Sequence, residues 1–377
     1  MSIREIEAKS ILRKHKKIDS WFISRYGMNL YRGCIHNCVY CDGRSEGYYV
    51  NGEFGKDVTV KVNAIEVLRR ELDPKRKRTP FKRSFVMVGG GVGDSYQPLE
   101  KKYQLTRKAL ELVYEHNLPV HMLTKSTLIE RDIDILKKIN EQSRTIVSFS
   151  FSSVDDEISS IFEPGVPSPS ERLKTLAFFK NEGFACGMFL LPVIPLITDT
   201  PELMEESVRK AVAVGLDFII FGGMTLKEGR QKDYFFNVLK KHYPKLISKY
   251  QYIYIGNKWG EATEEYYNLI SQAFSKIAKK YKIPRRIPSS LFKDILSEND
   301  LVIVILEHID YFLKTEGRIS PYGYAAYSIS QLKEPLRAMK GSLRQLKGVG
   351  RTTERIILGI LETGRSSYYE KLSRNMH

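Results

Sequence analysis

The chain has 377 residues, 42% hydrophobic and 11% aromatic, which suffices for a large core and more than one domain and excludes a disordered polypeptide. No run approaches the about 18 apolar residues that span a bilayer; the longest, residues 301–306, stops far short, so no membrane partner is expected. The formal charge of +16, from 60 Lys+Arg against 44 Asp+Glu, favours a polyanionic partner, although a lysine-rich proteome produces the same excess.

Residues 1–28 read as a basic, partly helical lead-in without the apolar region of an export signal, so a cytoplasmic location is expected. A cysteine loop follows at 34–41. Beyond it, short β-rich runs alternate with amphipathic helical patterns. Strands are predicted at 85–88, 120–123, 145–151, 186–191 and 218–221. Helices are predicted at 106–117, 129–139, 170–183 and 201–214. The run 252–255 offers a sixth strand. This alternation is the signature of βα units on a parallel sheet, with functional groups at the C-terminal strand ends. The fold class is therefore α/β: a partial (β/α)6 barrel over 29–257, followed by a helical C-terminal domain over 258–377. Pro284-Arg285-Arg286-Ile287-Pro288 reads as a hinge or linker.

Three of the four cysteines, Cys34, Cys38 and Cys41, fall within eight residues, and Cys186 is remote. Such a local cluster suits metal binding in a reducing compartment rather than disulfide bridging. The C-x3-C-x2-C spacing, with Tyr40 before the last cysteine, supplies three thiolates to a [4Fe–4S] cluster and leaves one iron open to an external chelator. S-adenosylmethionine is that chelator in radical chemistry, where one electron breaks its S–C5′ bond. The competing reading is zinc, which needs a fourth ligand such as His36 or Asp42.

The stretch Asn29-Leu30-Tyr31-Arg32-Gly33-Cys34-Ile35-His36-Asn37-Cys38-Val39-Tyr40-Cys41 resembles the cluster loop of spore photoproduct lyase-like radical SAM proteins, also called DNA repair photolyases. The likeness continues through Asp94-Ser95-Tyr96-Gln97-Pro98-Leu99-Glu100, Thr124-Lys125-Ser126, Glu163-Pro164 with Arg172, and residues 192–199, in order over about 25–225. The resemblance implies a radical SAM barrel and an electron donor such as ferredoxin or flavodoxin. It also places the methionine amine of the cofactor at Gly89 and Gly90.

Gly89-Gly90-Gly91 can also be a plain strand–loop turn. Lys125 is a candidate for the cofactor carboxylate, and Ser148 and Ser150, sharing a strand face, for the ribose. Tyr40 completes the cofactor set. Glu163 and Arg172 form either a bracing ion pair or catalytic groups. Asp94, Tyr96, Gln97 and Glu100 suit a substrate loop, with helix capping as the alternative for Glu100. In spore photoproduct lyase a cysteine near the second strand end returns a hydrogen atom to the substrate; this chain has Gly91-Val92-Gly93 there. No catalytic group is assigned, and Cys186 and Tyr96 stand as candidates.

Near 342–361 the sequence resembles a helix–hairpin–helix, in which Gly348 and Gly350 let amides approach a phosphate while Lys347, Arg351 and Arg355 add cations. Residues 333–377 carry ten Lys/Arg against four Asp/Glu. Lys75-Arg76-Lys77-Arg78 with Lys82 and Arg83 is either a second basic patch or a solvated loop. The combined expectation is a radical SAM enzyme acting on nucleic acid, DNA ahead of RNA, as a lyase in DNA repair or as a base-modifying enzyme. The alternatives are modification of tRNA or a protein, and a non-catalytic zinc protein that binds nucleic acid.

Overall fold

The computed structural model describes residues 2–373 apart from Tyr49, Asn51, 78–80 and Asn257; Arg78 of the basic run therefore lies outside the described residues. The chain opens with β1 (Ser2–Ile6), β2 (Leu12–Asp19), β3 (Ser24–Met28) and β4 (Tyr31–Arg32), then β5 (Asp57–Lys61) and α1 (Ala64–Leu72). Strand–helix alternation follows: β6 (Phe85–Gly89), α2 (Glu100–Tyr103), α3 (Leu105–Glu115), β7 (Val120–Thr124), α4 (Ile133–Gln142) and β8 (Thr145–Phe151). Next come α5 (Asp156–Phe162), α6 (Pro169–Asn181), β9 (Ala185–Val193), α7 (Pro201–Ala213) and β10 (Phe218–Gly223). The remainder is helical: α8 (Arg230–His242), α9 (Ile247–Ile253), α10 (Glu264–Lys280), α11 (Glu298–Lys314), α12 (Tyr322–Ser330), α13 (Arg351–Thr363) and α14 (Ser367–Ser373).

Seven strands form one sheet in the order β10-β9-β8-β7-β6-β3-β2. All neighbours are parallel except β2, which runs antiparallel to β3. The sheet is a curled half-barrel, consistent with the expected partial barrel. A second sheet, β1-β5-β4, stands beside it.

Two expectations are corrected. The lead-in is not partly helical: β3 within it is the sixth parallel strand. Its partner β2 reads Leu-Arg-Lys-His-Lys-Lys-Ile-Asp, and the charges that suggested a solvated helix are those that keep an edge strand from pairing further. The run 252–255 is no strand, because α9 extends into it, ending at Ile253 with Tyr254 as its C-cap. Helical spacing puts Tyr250 and Tyr254 on one face, where their hydroxyls donate to the carbonyls of Pro195 (2.6 Å) and Met224 (2.9 Å).

Alternation along the strands divides the core. One set (Val86, Val120, Val147, Cys186 and Ile219 among them) packs under the outer helices, including α10. The opposite set, including Phe85, Ile146, Phe189 and Phe218, packs against α11–α14. The apolar run 301–306 is thus the buried heart of α11, filling the concave side of the half-barrel. The Pro284–Pro288 segment is packed rather than a free hinge. The Ile219 amide donates to the Pro284 carbonyl at 2.8 Å, and Arg285, Arg286 and Ile287 are buried.

Two buried histidines make this core acid-sensitive. Burial and the nearby Arg286 charge hold His308 at about 3, and burial holds His121 at about 4. Both folded values lie below the ordinary 6.5, so the unfolded chain takes the protons first. Stability is complete above pH 6.5 and falls as pH drops toward those values, by about 1.4 kcal/mol per unit per histidine. Denaturant unfolding at pH 7 and pH 5 should show the loss, and His308→Gln should remove roughly half of it.

Candidate functional site

At the C-terminal end of the strands lies a cavity of about 360 Å³ lined by Cys34, Cys38, Cys41, Tyr40, Gly90, Gly91, Asp94, Lys125 and Ser150, among others. The cysteine loop is held there from three sides. Arg44 donates from Nε to the Cys38 carbonyl and from Nη2 to the Asn37 carbonyl, both at 3.1 Å, while its guanidinium lies 3.5 Å over the Tyr234 ring. Gln97 accepts from the Ile35 amide (3.1 Å) and donates to the Gly33 carbonyl (3.2 Å). The turn after α5 closes the third side: Val39 N–H donates to the Phe162 carbonyl at 2.8 Å, and Gly165 N–H to the His36 carbonyl at 3.1 Å. A Cβ on Gly165 would sit 2.8 Å from the carbonyl oxygens of both Ile35 and His36, so this contact requires glycine.

Beneath that turn the Tyr40 hydroxyl donates to Glu163, whose other oxygen pairs with Arg172 Nη2 at 2.5 Å. Both charged side chains are fully buried. Arg172 also donates to the Ser150 carbonyl at 2.6 Å. Burial pushes the Glu163 carboxyl up, but the Arg172 and Lys125 charges and the hydrogen bonds from Tyr40 and Ser159 together outweigh it and hold the group at about 2. Asp94 is a second hub: it accepts from the Lys125 amide (2.8 Å), the Thr124 hydroxyl (2.7 Å) and the Tyr96 amide (2.8 Å), and faces His36 Nδ1 at 3.5 Å. Lys125 Nζ donates to Ser150 Oγ at 2.5 Å and lies 5.9 Å from the Tyr40 ring centre.

Both fourth ligands that zinc could use are engaged elsewhere. Asp42 accepts from Thr225 (2.5 Å), Lys227 (2.6 Å) and Gln231 (3.0 Å), and His36 faces Asp94. Among the described residues, no three His, Cys, Asp or Glu side chains converge on a single-ion site. The three thiols line the cavity wall without meeting at a point.

The family model of the radical SAM superfamily matches residues 28–203. This stretch is a radical SAM domain. An uncharacterized protein of Mycobacterium tuberculosis is 28% identical over 287 residues, covering 75% of this chain and 82% of its own. An uncharacterized protein of Methanocaldococcus jannaschii is 28% identical over 222 residues, covering 59% and 77%. Among solved structures, a variant of spore photoproduct lyase aligns with a TM-score of 0.54 at 17% identity, covering 74% of this chain and 79% of that one. Another, with bound AdoMet and dinucleoside spore photoproduct, gives 0.51 at 18% identity, covering 72% and 78%. At these identities the structural likeness is one of fold.

Radical SAM domains use a [4Fe–4S] cluster and S-adenosylmethionine, and the residues present fit both. Three thiols without a fourth protein ligand match a cubane with one exchangeable iron. Burial pushes the Cys38 thiol up to about 12, with Lys125 pulling the other way, and burial also raises Cys34 and Cys41. Such thiols ionise only beside added positive charge, which bound iron supplies. Gly90, Gly91, Lys125, Ser150 and the Tyr40 ring face the same space.

Several predicted site residues of the radical SAM domain stand elsewhere. Ser148 is fully buried below the cavity, where its hydroxyl meets His121 Nε2 at 2.9 Å, so it is no ribose contact in this arrangement. Gly89 is off the lining: its φ is +96° and a Cβ there would lie 1.9 Å from the Leu123 carbonyl oxygen, a constraint of strand packing. Gly91 has open space around it. Gly89→Ala should therefore lower stability by about 2 kcal/mol or more, whereas Gly91→Ala should leave it unchanged; thermal denaturation of both variants checks this.

Of the expected substrate loop, Asp94 alone faces the cavity. Tyr96 is fully buried with its hydroxyl on Asp132 at 3.0 Å, which removes it as a catalytic candidate. Glu100 does not cap the helix near Lys101, which it opens as the first residue of α2; its carboxylate accepts from the amides of Thr106 (3.0 Å) and Arg107 (3.3 Å) at the start of the next helix, α3. Cys186 packs among the outer-helix residues, on the face of β9 turned away from the cavity, and burial raises its thiol. It too drops out.

Arg44, Gly165 and the hub role of Asp94 went unread in the sequence. Gly165 and Asp94 act between segments far apart in the chain, whereas Arg44 bonds carbonyls only six and seven residues back, through a loop conformation that spacing does not show.

Lys347, Gly348, Gly350, Arg351 and Arg355 lie outside the cavity. The first helix of the expected hairpin is a single 3-10 turn over Leu343–Gln345, because Gly341 and Gly348 bracket too few residues for a full helix. The turn itself is tight: Gly348 has φ +82° and a Cβ there would lie 2.6 Å from the Ala325 amide nitrogen of α12. Gly350 starts α13 without a side-chain cap, and Lys347, Arg351 and Arg355 are exposed around it. No helix among the described residues is long and apolar enough to cross a membrane.

Proposed function

We propose that this radical SAM protein acts on nucleic acid, with DNA favoured over RNA, as a repair lyase or base-modifying enzyme drawing electrons from a ferredoxin or flavodoxin. When bound, cluster and cofactor supply a carbon radical by reductive cleavage of the sulfonium. The chain's own residues do the positioning. Lys125 offers a cation for the cofactor carboxylate and Ser150 a hydroxyl for its ribose, while Gly90 and Gly91 let backbone approach closely. Phe22, Phe54, Leu191 and Pro192 give the cavity apolar walls that exclude water. With Cys186 turned outward, hydrogen return by a spare thiol is not part of this proposal, and thymine-dimer reversal by that route is disfavoured.

The observation that carries the choice of substrate is the start of α13. Its uncapped amides project from a glycine turn ringed by three exposed cations, on a chain of net charge +16. Lys347→Glu/Arg351→Glu/Arg355→Glu should weaken duplex binding and reduce the slope of log K against log salt by about 3. Fluorescence anisotropy with duplex, single-stranded and tRNA ligands tests this, and an unchanged slope would remove the hairpin from the interface. Preferred binding of tRNA would move the substrate from DNA to RNA.

A further inference from the structure

A second cavity, of about 1120 Å³, opens between α10, α11, α12 and the β2–β3 turn. It adjoins the first. Trp21 lines the second cavity and the next residue, Phe22, the first. Likewise Tyr267 lines the second, and its ring packs against Gly223 of the first, with 3.2 Å to the position of a Cβ there. The partition is one layer of side chains.

Three side chains of this groove offer groups to a ligand: Arg286, Tyr324 and Tyr327. Arg286 lines it at 4% exposure, its guanidinium stacked 3.3 Å over the Tyr311 ring and 4.5 Å from that of Trp21. Among the described residues its side chain donates one hydrogen bond, from Nη1 to the neighbouring Arg285 carbonyl at 3.2 Å, and no carboxylate pairs with it. Of the nearby acids, Glu307 pairs with Lys17 and Asp310 Oδ2 with Lys314 at 2.7 Å, Asp310 Oδ1 has no hydrogen-bond partner among the described residues, and Asp19, which accepts from the Trp21 amide at 2.9 Å, acts on Arg286 through its charge without touching it. A buried guanidinium without an anion is costly to maintain, which points to an anionic ligand. On the rim, Tyr324 and Tyr327 stand three residues apart on α12, 73% and 59% exposed. Two exposed rings beside buried cationic charge are the elements of a single-strand platform, in which bases stack and a phosphate meets arginine.

We propose that this groove holds an unpaired segment of the nucleic-acid substrate, stacking bases on Tyr324 and Tyr327 and placing a phosphate at Arg286. The partition at Trp21 and Phe22 then leads the adjoining nucleotide toward the cysteine cavity. The assignment rests on the nucleic-acid reading above. It goes beyond that reading in giving the chain two surfaces: the hairpin for phosphate backbone of any form, the groove for unstacked bases.

The test uses full-length protein and a labelled oligothymidylate of about 12 nucleotides, compared with a duplex of the same length. Tyr324→Ala/Tyr327→Ala removes exposed rings and should leave the melting temperature unchanged. It should weaken oligothymidylate binding about 10- to 100-fold while duplex affinity is retained. Trp259→Phe leaves Trp21 as the sole tryptophan, and its emission should be quenched as oligothymidylate is added. Wild-type affinity in the double tyrosine variant, or unperturbed Trp21 emission, would overturn the groove. If the hairpin variant alone then loses binding, the nucleic-acid reading survives without it; if wild-type protein binds no oligonucleotide at low salt, both fall.

Discussion

Replacing Glu163 with glutamine should lower the unfolding free energy by about 3–5 kcal/mol, because it leaves Arg172 charged and buried without its counter-ion. The site has no reserve: both side chains are fully buried, and Arg172 Nε already lacks a hydrogen-bond partner. Glutamine keeps the shape and loses the charge. Glu163→Gln/Arg172→Met, which removes both charges at similar volume, should recover much of the loss. The pH profile supplies a second readout. Glu163 titrates at about 2 in the fold against an ordinary 4.5, so its contribution is complete above pH 4.5 and disappears as pH falls through 2. Wild type should lose this increment on acidification, and the variant should not. Because Tyr40 donates to Glu163 and the same turn clamps the loop at Val39 and Gly165, the variant should also bind iron more weakly. Urea titrations of the apoprotein and iron analysis after reconstitution measure the two effects separately.

The second large effect is expected at Cys38. Two thiolates cannot hold a site-differentiated cubane, so Cys38→Ala should reduce bound iron, acid-labile sulfide and cofactor cleavage to background. Its cost to the fold should be on the order of 1 kcal/mol, since a single sulfur is removed. Cys186→Ala is the control: a buried cysteine on the face of β9 turned away from the cavity, expected to keep both cluster and cleavage. Cluster and cleavage retained in Cys38→Ala would mean that the cysteine loop does not hold the cluster.

What the sequence revealed follows from how local each signal is. The cysteine spacing is a property of eight consecutive residues, and five strands with their helices carry periodicities that survive without tertiary context. The failures are equally physical. Lysine-rich β2 is an edge strand, where solubility and protection from pairing override the look of a strand. The 252–255 run is short and aromatic, a composition that helix and strand share until Tyr250 and Tyr254 find carbonyl partners on one face. Within the site, Lys125, Ser150, Gly90 and Tyr40 were legible from their strand-end or loop positions. Ser148 was not, since the parity that puts it beside Ser150 says nothing of depth below the cavity. Asp94 binds Thr124 and Lys125, partners that reach it only once β6 lies beside β7, and Arg44 braces the cysteine loop from within through a turn that spacing does not announce.

The most direct test of the central claim is anaerobic reconstitution of the full-length protein with iron and sulfide, followed by reduction with dithionite in the presence of S-adenosylmethionine. Three clustered thiols without a fourth protein ligand predict iron–sulfur absorbance and release of 5′-deoxyadenosine and methionine. A reconstituted protein that holds zinc instead, or that binds the cluster and leaves S-adenosylmethionine intact, would contradict the account.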